Sequence, residues 1–128
     1  MNFLTQAMIV GAGGFIGSAL RFAVSSSVQR FAGTGLFPFG TLAVNVLGCL
    51  ALGLLSGLAE HRQMLEPGQR LFLMAGVLGG FTTYSAFAFE SVALMQDAAF
   101  FRAALNTLAQ VILGFGAAFA GYALARIL

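Results

Sequence analysis

Charge is what this chain has least of. Only 8% of its 128 residues are charged, as six Arg, four Asp or Glu and no Lys at all. A soluble domain carries about 25% charge, so the composition argues against an aqueous fold. The net charge of +2 is too small and too scattered for a nucleic-acid face. One cysteine, Cys49, excludes an intrachain disulfide and reads as small packing filler inside an apolar segment. One histidine, His61, sits in a polar connection with nothing to mark it as a ligand. No Cys/His cluster, Ser/His/Asp set, paired carboxylates or nucleotide-binding motif occurs, so nothing argues for an enzyme or for ATP-driven work.

What the chain does have is apolar length. Hydrophobic residues make up 59% of it, with a mean hydropathy of +0.94. Four windows are free or nearly free of charge: Phe3–Leu20, Leu36–Ala59, Leu71–Met95 with Glu90 inside, and Ala103–Ala125. Each holds the roughly 18–25 residues that cross a hydrocarbon core. The expectation is one domain, residues 1–128, an all-α membrane protein of four transmembrane helices. The first charged side chain is Arg21, so no basic region precedes the first span as it would in a cleaved signal peptide.

If the spans alternate, Arg21, Arg30 and Arg102 fall towards one side and Arg62, Arg70 and Arg126 towards the other. That tie leaves the orientation bias of basic loops nothing to act on. One reading is insertion in both orientations and an antiparallel dual-topology homodimer. The other is that the first span sets the orientation and the tie is chance. Size favours the dimer, because four helices can hardly pack together and also enclose a polar path.

Along the chain, Gly11-Ala12-Gly13-Gly14-Phe15-Ile16-Gly17-Ser18 superficially imitates a dinucleotide fingerprint, but Ile16 stands where the third glycine belongs. In an apolar span Gly13 and Gly17 instead let two backbones approach closely, as do Gly53 with Gly57 and Gly76 with Gly80. Arg21 ends the first span, either as an interfacial snorkel or as fixed positive charge at the mouth of an anion path. Ser25 to Gly35 reads as a loop. Thr41, Asn45 and Gly48 share one face of the second span. A buried Asn needs partners, and serves either as interhelical glue or as an amide donor to an anion. Asn106, Gln110 and Gly114 form a second polar stripe on the fourth span.

The third span carries Gly79-Gly80-Phe81-Thr82-Thr83-Tyr84-Ser85-Ala86-Phe87 at its middle. Two glycines and three hydroxyls are poor material for an uninterrupted helix. Released carbonyls at membrane depth survive only inside protein or beside an ion-filled cavity. The stretch therefore predicts a third helix broken at mid-membrane, at an ion site. Ring edges are partially positive and suit an anion, whereas carbonyls suit a cation. Glu90, the one ionisable group well inside a span, is a functional-site candidate by default or a hydrogen-bonded structural carboxyl.

Gly14-Phe15-Ile16-Gly17-Ser18-Ala19-Leu20-Arg21, Gly40-Thr41-Leu42-Ala43-Val44-Asn45-Val46-Leu47-Gly48 and the Gly79–Phe87 stretch together resemble the Fluc/CrcB fluoride channels. The resemblance implies a passive fluoride channel in a bacterial inner membrane, as an antiparallel homodimer with two pathways. It also implies a structural Na⁺ on the twofold axis, held by backbone carbonyls at the positions of Gly79 and Thr82. Asn45 matches the family's pore asparagine, Tyr84 and Phe87 its pair of pore phenylalanines, and Ser85 part of its polar track. Arg21 and Glu90 match further positions of the pattern. Thr41 joins the expected pathway from its face, as do Asn106 and Gln110. Two departures stand out: Tyr84 where Phe is usual, and Ala86 where Thr is usual. The rival readings are a small dual-topology proton-coupled efflux transporter and a structural subunit of a larger membrane complex. The transporter needs a carboxylate in the first span, which has none.

Overall fold

A computed structural model describes residues 1–128, and every regular element in it is helical. Helix α1 runs Phe3–Ala32, opened by the Asn2 side chain accepting from the Thr5 N–H at 2.9 Å. Gly33 closes it at φ +92°, a left-handed-region conformation that a side chain would strain. Helix α2 spans Phe39–His61. The third span starts with α3 (Pro67–Arg70), continues as a widened turn over Leu71–Leu78 and ends as α4 (Gly79–Phe81). Helix α5 (Tyr84–Gln96) follows, and α6 (Phe100–Ala125) completes the chain. Four runs are long and apolar enough to cross a membrane: Phe3–Ala32, Phe39–His61, Pro67–Gln96 and Phe100–Ala125.

The first span is longer than its composition predicts. Arg21 does not end it, and Ser25 to Ala32 are helical rather than looped. The Ser25 hydroxyl donates back to the Phe22 carbonyl, so this polar stretch continues the ladder instead of breaking it. The real connection is short and is stapled by Gln29, whose Nε2 donates to the Phe37 carbonyl (3.2 Å) and whose Oε1 accepts from the Gly40 N–H (3.1 Å).

Glycine decides how the helices pair. A Cβ on Gly17 would run into the Val77 carbonyl, and one on Gly76 would sit 2.9 Å from Gly13 Cα. These close approaches seat α1 against the first half of the third span. A Cβ on Gly53 would strike the Ala118 backbone, and one on Gly121 the Leu50 carbonyl, which zips α2 to α6. Without a hydrophobic driving force in lipid, such backbone contact supplies the dispersion energy that large side chains supply in water. Half of the 18 buried residues are glycines. Phe15, Phe22, Phe89, Phe115 and Phe119 stand more than 70% exposed, an outside made for lipid or for another chain.

Candidate functional site

The glycine pair is not where the third span gives way. Gly79 and Gly80 remain helical, because Gly80 is needed as a contact: a Cβ there would lie 2.7 Å from the Gly14 carbonyl oxygen. The chain leaves the helix two residues later. Thr82 (φ −85°, ψ 156°) and Thr83 (φ −151°, ψ 112°) are extended, and α5 starts afresh at Tyr84. Thr83 is its N-cap, with the hydroxyl accepting from the Ala86 N–H at 3.2 Å.

Extended backbone among apolar helices must find partners or cost several kcal/mol per group. Every polar backbone group of the two threonines finds one. The Thr82 N–H and hydroxyl both donate to the Leu78 carbonyl, each at 3.0 Å. The Thr82 carbonyl accepts from Arg21 Nη1 at 3.3 Å. The Thr83 N–H donates to Asn45 Oδ1 at 2.7 Å, and the Thr83 carbonyl accepts from Asn45 Nδ2 at 3.0 Å. One side-chain amide on α2 thus pairs with Thr83 as a neighbouring strand would. The second Nδ2 hydrogen of Asn45 goes to Gln110 Oε1 on α6 at 2.9 Å. Asn45 is interhelical glue in this arrangement, with both amide hydrogens engaged.

The same face of α2 holds the rest of the third span. Thr41, one turn before Asn45, donates from its hydroxyl to Glu90 Oε1 at 2.6 Å. Gly48, the next position on the face, leaves room for the Thr82 methyl and the Phe81 ring. The stripe on α6 also faces inward. Asn106 is fully buried and donates to the Ser91 hydroxyl at 3.0 Å, while Gln110 meets Asn45. Three buried side-chain atoms have no partner: Glu90 Oε2, Asn106 Oδ1 and Gln110 Nε2.

Two open cavities flank the interruption, and Thr83 lies on the wall of both. One, of about 620 Å³, is bordered by Arg21, Ser25, Thr41, Ser85 and Glu90. The other, of about 350 Å³, is more apolar and is bordered by Asn45, Tyr84, Phe87, Gln110 and Phe115. The Tyr84 and Phe87 rings meet edge to face, with centroids 5.4 Å apart at 79°. Ser85 is exposed, its hydroxyl 3.3 Å from that of Thr83. The sequence-predicted residues therefore gather around one point but divide between two cavities, Arg21, Thr41, Ser85 and Glu90 on one side and Tyr84, Phe87 and Gln110 on the other. Asn106 borders neither.

A family model described as CrcB-like protein, Camphor Resistance (CrcB), matches residues 8–122. The chain belongs to the CrcB family. Among similar proteins, the Fluoride-specific ion channel FluC of Maridesulfovibrio salexigens is 43% identical over 94% of this chain and 95% of its own length. The protein of the same name from Agrobacterium fabrum is 44% identical over 92% and 94%, respectively. That from Elusimicrobium minutum is 41% identical over 100% and 99%. The CrcB family is thus one of membrane channels, not of enzymes, and this member is a multi-pass membrane protein.

In this CrcB chain two participants escaped the reading of the sequence. Ser91, the partner of Asn106, carries no pattern of its own. Thr83 acts through its backbone, which no residue type announces, although its place three residues before Ala86 is the spacing of an N-cap.

Proposed function

We propose that the chain conducts fluoride passively across a bacterial inner membrane, out of the cytoplasm. It would do so as an antiparallel dual-topology homodimer with two pathways. The observation that carries this reading is the interruption at Thr82–Thr83. Its backbone is satisfied by side chains from α1 and α2, which leaves amide, hydroxyl and ring-edge groups bordering cavities on either side. The relatives named fluoride-specific channels supply the identity of the ion.

Fluoride is small and holds its water strongly, so a pathway must substitute several donors at once and yet bind weakly enough to release. Arg21 places a fixed positive charge beside the larger cavity, where Thr41 and Ser85 add hydroxyls. Tyr84 and Phe87 offer positive ring edges beside the smaller one, and Asn45 holds the geometry at the point between them. Glu90 and Asn106, the other predicted pathway residues, brace this framework through Thr41 and Ser91. The dimer is favoured by how little of a single chain is buried, 18 of 128 residues, and by the tie in arginine distribution.

A structural Na⁺ fits the donor chemistry. The Thr83 N–H is diverted to Asn45, so the Gly79 carbonyl loses its i+4 helical partner. A neutral carbonyl oxygen is the kind of ligand a hard cation takes. Gly79 and Thr82 would hold the ion with their carbonyls, each chain supplying part of the shell, with the Thr82 oxygen shared with Arg21. Bound there, Na⁺ supplies positive charge that lowers the electrostatic cost of an anion nearby.

The test is flux from fluoride-loaded liposomes holding the purified protein, with valinomycin setting the voltage. Voltage-driven fluoride loss without a proton gradient is the expected result. Drug movement strictly coupled to protons, or no flux from the purified chain, sinks the proposal. Labelling single cysteines placed at 60–69 from both sides of sealed vesicles tests dual insertion, which one-sided labelling refutes.

A further inference from the structure

Away from the interruption, a third cavity of about 670 Å³ lies between the end of α2 and the start of the third span. That volume is within the range of ligand sites. One cation and one anion border it, Arg70 and Glu60, and each is held by a group other than its opposite. Arg70 Nε donates to the Leu65 carbonyl at 3.2 Å and Nη2 to the Ala59 carbonyl at 3.1 Å. A guanidinium has five N–H groups, so three stay free. Glu60 accepts from the Tyr122 hydroxyl through Oε2 at 2.7 Å, and Oε1 is left to take a further donor. Its position also calls for a cation, because a carboxylate in the last turn of α2 faces the negative end of the helix dipole. Gln63, on the same wall, holds φ +51°, an uncommon conformation for a residue with a side chain. The tight reversal there is what lets Arg70 reach back to Ala59.

The depth of the cavity narrows its occupant. Helix α2 ends at His61 and the next span starts at Pro67, so Glu60 and Arg70 stand where the spans leave the hydrocarbon. Ser56 and Met74, each four residues further in, line the deeper part. We propose that this cavity is a lipid headgroup site for phosphatidylethanolamine, with the phosphate on the free N–H groups of Arg70 and the ammonium on Glu60 Oε1. That headgroup carries both charges at a fixed spacing, which suits a cation and an anion that border one cavity without pairing. The guanidinium fork matches a phosphate, and the ammonium hydrogens can donate to a carboxylate where a trimethylammonium cannot. A headgroup with negative charge alone would meet repulsion from Glu60. The inference is independent of which ion the chain conducts.

Native mass spectrometry of the full-length protein, released from nanodiscs of equal phosphatidylethanolamine, phosphatidylcholine and phosphatidylglycerol with the same acyl chains, tests this. Phosphatidylethanolamine adducts should exceed each of the others by roughly two- to fivefold, the range an exposed ion pair allows. Glu60→Gln keeps an acceptor for the Tyr122 hydroxyl, so the fold is spared, and it should bring the ethanolamine and choline lipids level. Arg70→Gln should lower adducts of both together. Asp97→Asn, which changes a carboxylate at the opposite end of the bundle, should leave the preference as it is. Equal retention of the three lipids by the parent, or a preference for phosphatidylglycerol, overturns the proposal. So does a Glu60→Gln variant that still favours phosphatidylethanolamine. Displacement of the lipid by an equal concentration of free phosphoethanolamine would make the occupant a soluble zwitterion and overturn the lipid assignment. Adduct mass is read without flux, so failure here and failure of the channel reading are separate results.

Discussion

Replacing Asn45 by alanine should open the third span where Thr82 and Thr83 leave the helix. The substitution deletes hydrogen bonds to the Thr83 N–H, the Thr83 carbonyl and Gln110 Oε1 together. Two of the abandoned partners are backbone groups among apolar helices, and the extended conformation at Thr82 and Thr83 keeps the Thr83 N–H from its helical acceptor, the Gly79 carbonyl. At about 1–3 kcal/mol for each orphaned group, the loss comes to about 2–6 kcal/mol. Interhelical polar contacts measured in membranes average only about 0.6 kcal/mol, because the unfolded reference also finds partners, so the low end is the more realistic. The signature is local. Hydrogen exchange at the Thr83 amide should speed up by at least about tenfold, the factor that 1.4 kcal/mol buys, while amides in the α2–α6 seam change little. Asn106 supplies the contrast. It makes one side-chain hydrogen bond, to Ser91, and carries an oxygen with no partner, so Asn106→Leu should cost less than Asn45→Ala or even stabilise. Equal losses for the two variants in detergent unfolding, or unchanged exchange at Thr83 in Asn45→Ala, would refute the view that Asn45 holds the interruption.

Other outcomes follow from the same contacts. Gly17→Ala should lower the thermal midpoint by an amount reflecting roughly 1–3 kcal/mol, because its methyl meets the Val77 carbonyl rather than a movable side chain. Gly11→Ala, with open space at the site, should leave that midpoint unmoved. Arg21→Gln weakens the internal donor on the Thr82 carbonyl, so the variant's melting temperature should depend more steeply on Na⁺ than the parent's when Na⁺ is exchanged for a bulky organic cation. Phe87→Ile roughly keeps volume but loses the ring edge packed against Tyr84, and should slow fluoride efflux from liposomes without altering the unfolding midpoint by more than about 1.5 kcal/mol.

Much of this molecule could be read from residue order. Four apolar runs dictate four long helices, since in lipid a helix satisfies its own backbone. The facing of Thr41, Asn45 and Gly48 follows from helical periodicity alone, and each does meet the third span. Other features were hidden because they depend on what lies opposite. Ser25 to Ala32 have the composition of a loop yet stay helical. The Gly79–Gly80 pair has the composition of a break yet is held in helix by contact with Gly14 and Ser18, which moves the departure on to the threonines.

Residue types along the chain settled that there is an interruption to satisfy and which polar side chains exist to satisfy it. Only the folded arrangement settled that Asn45 meets a backbone that can be read in one direction, and that Gln110 is left with hydrogens to give. The physical reason is that an amide has a donor end and an acceptor end of nearly the same shape. Sequence names the group, but the neighbours it packs against choose which end faces which partner.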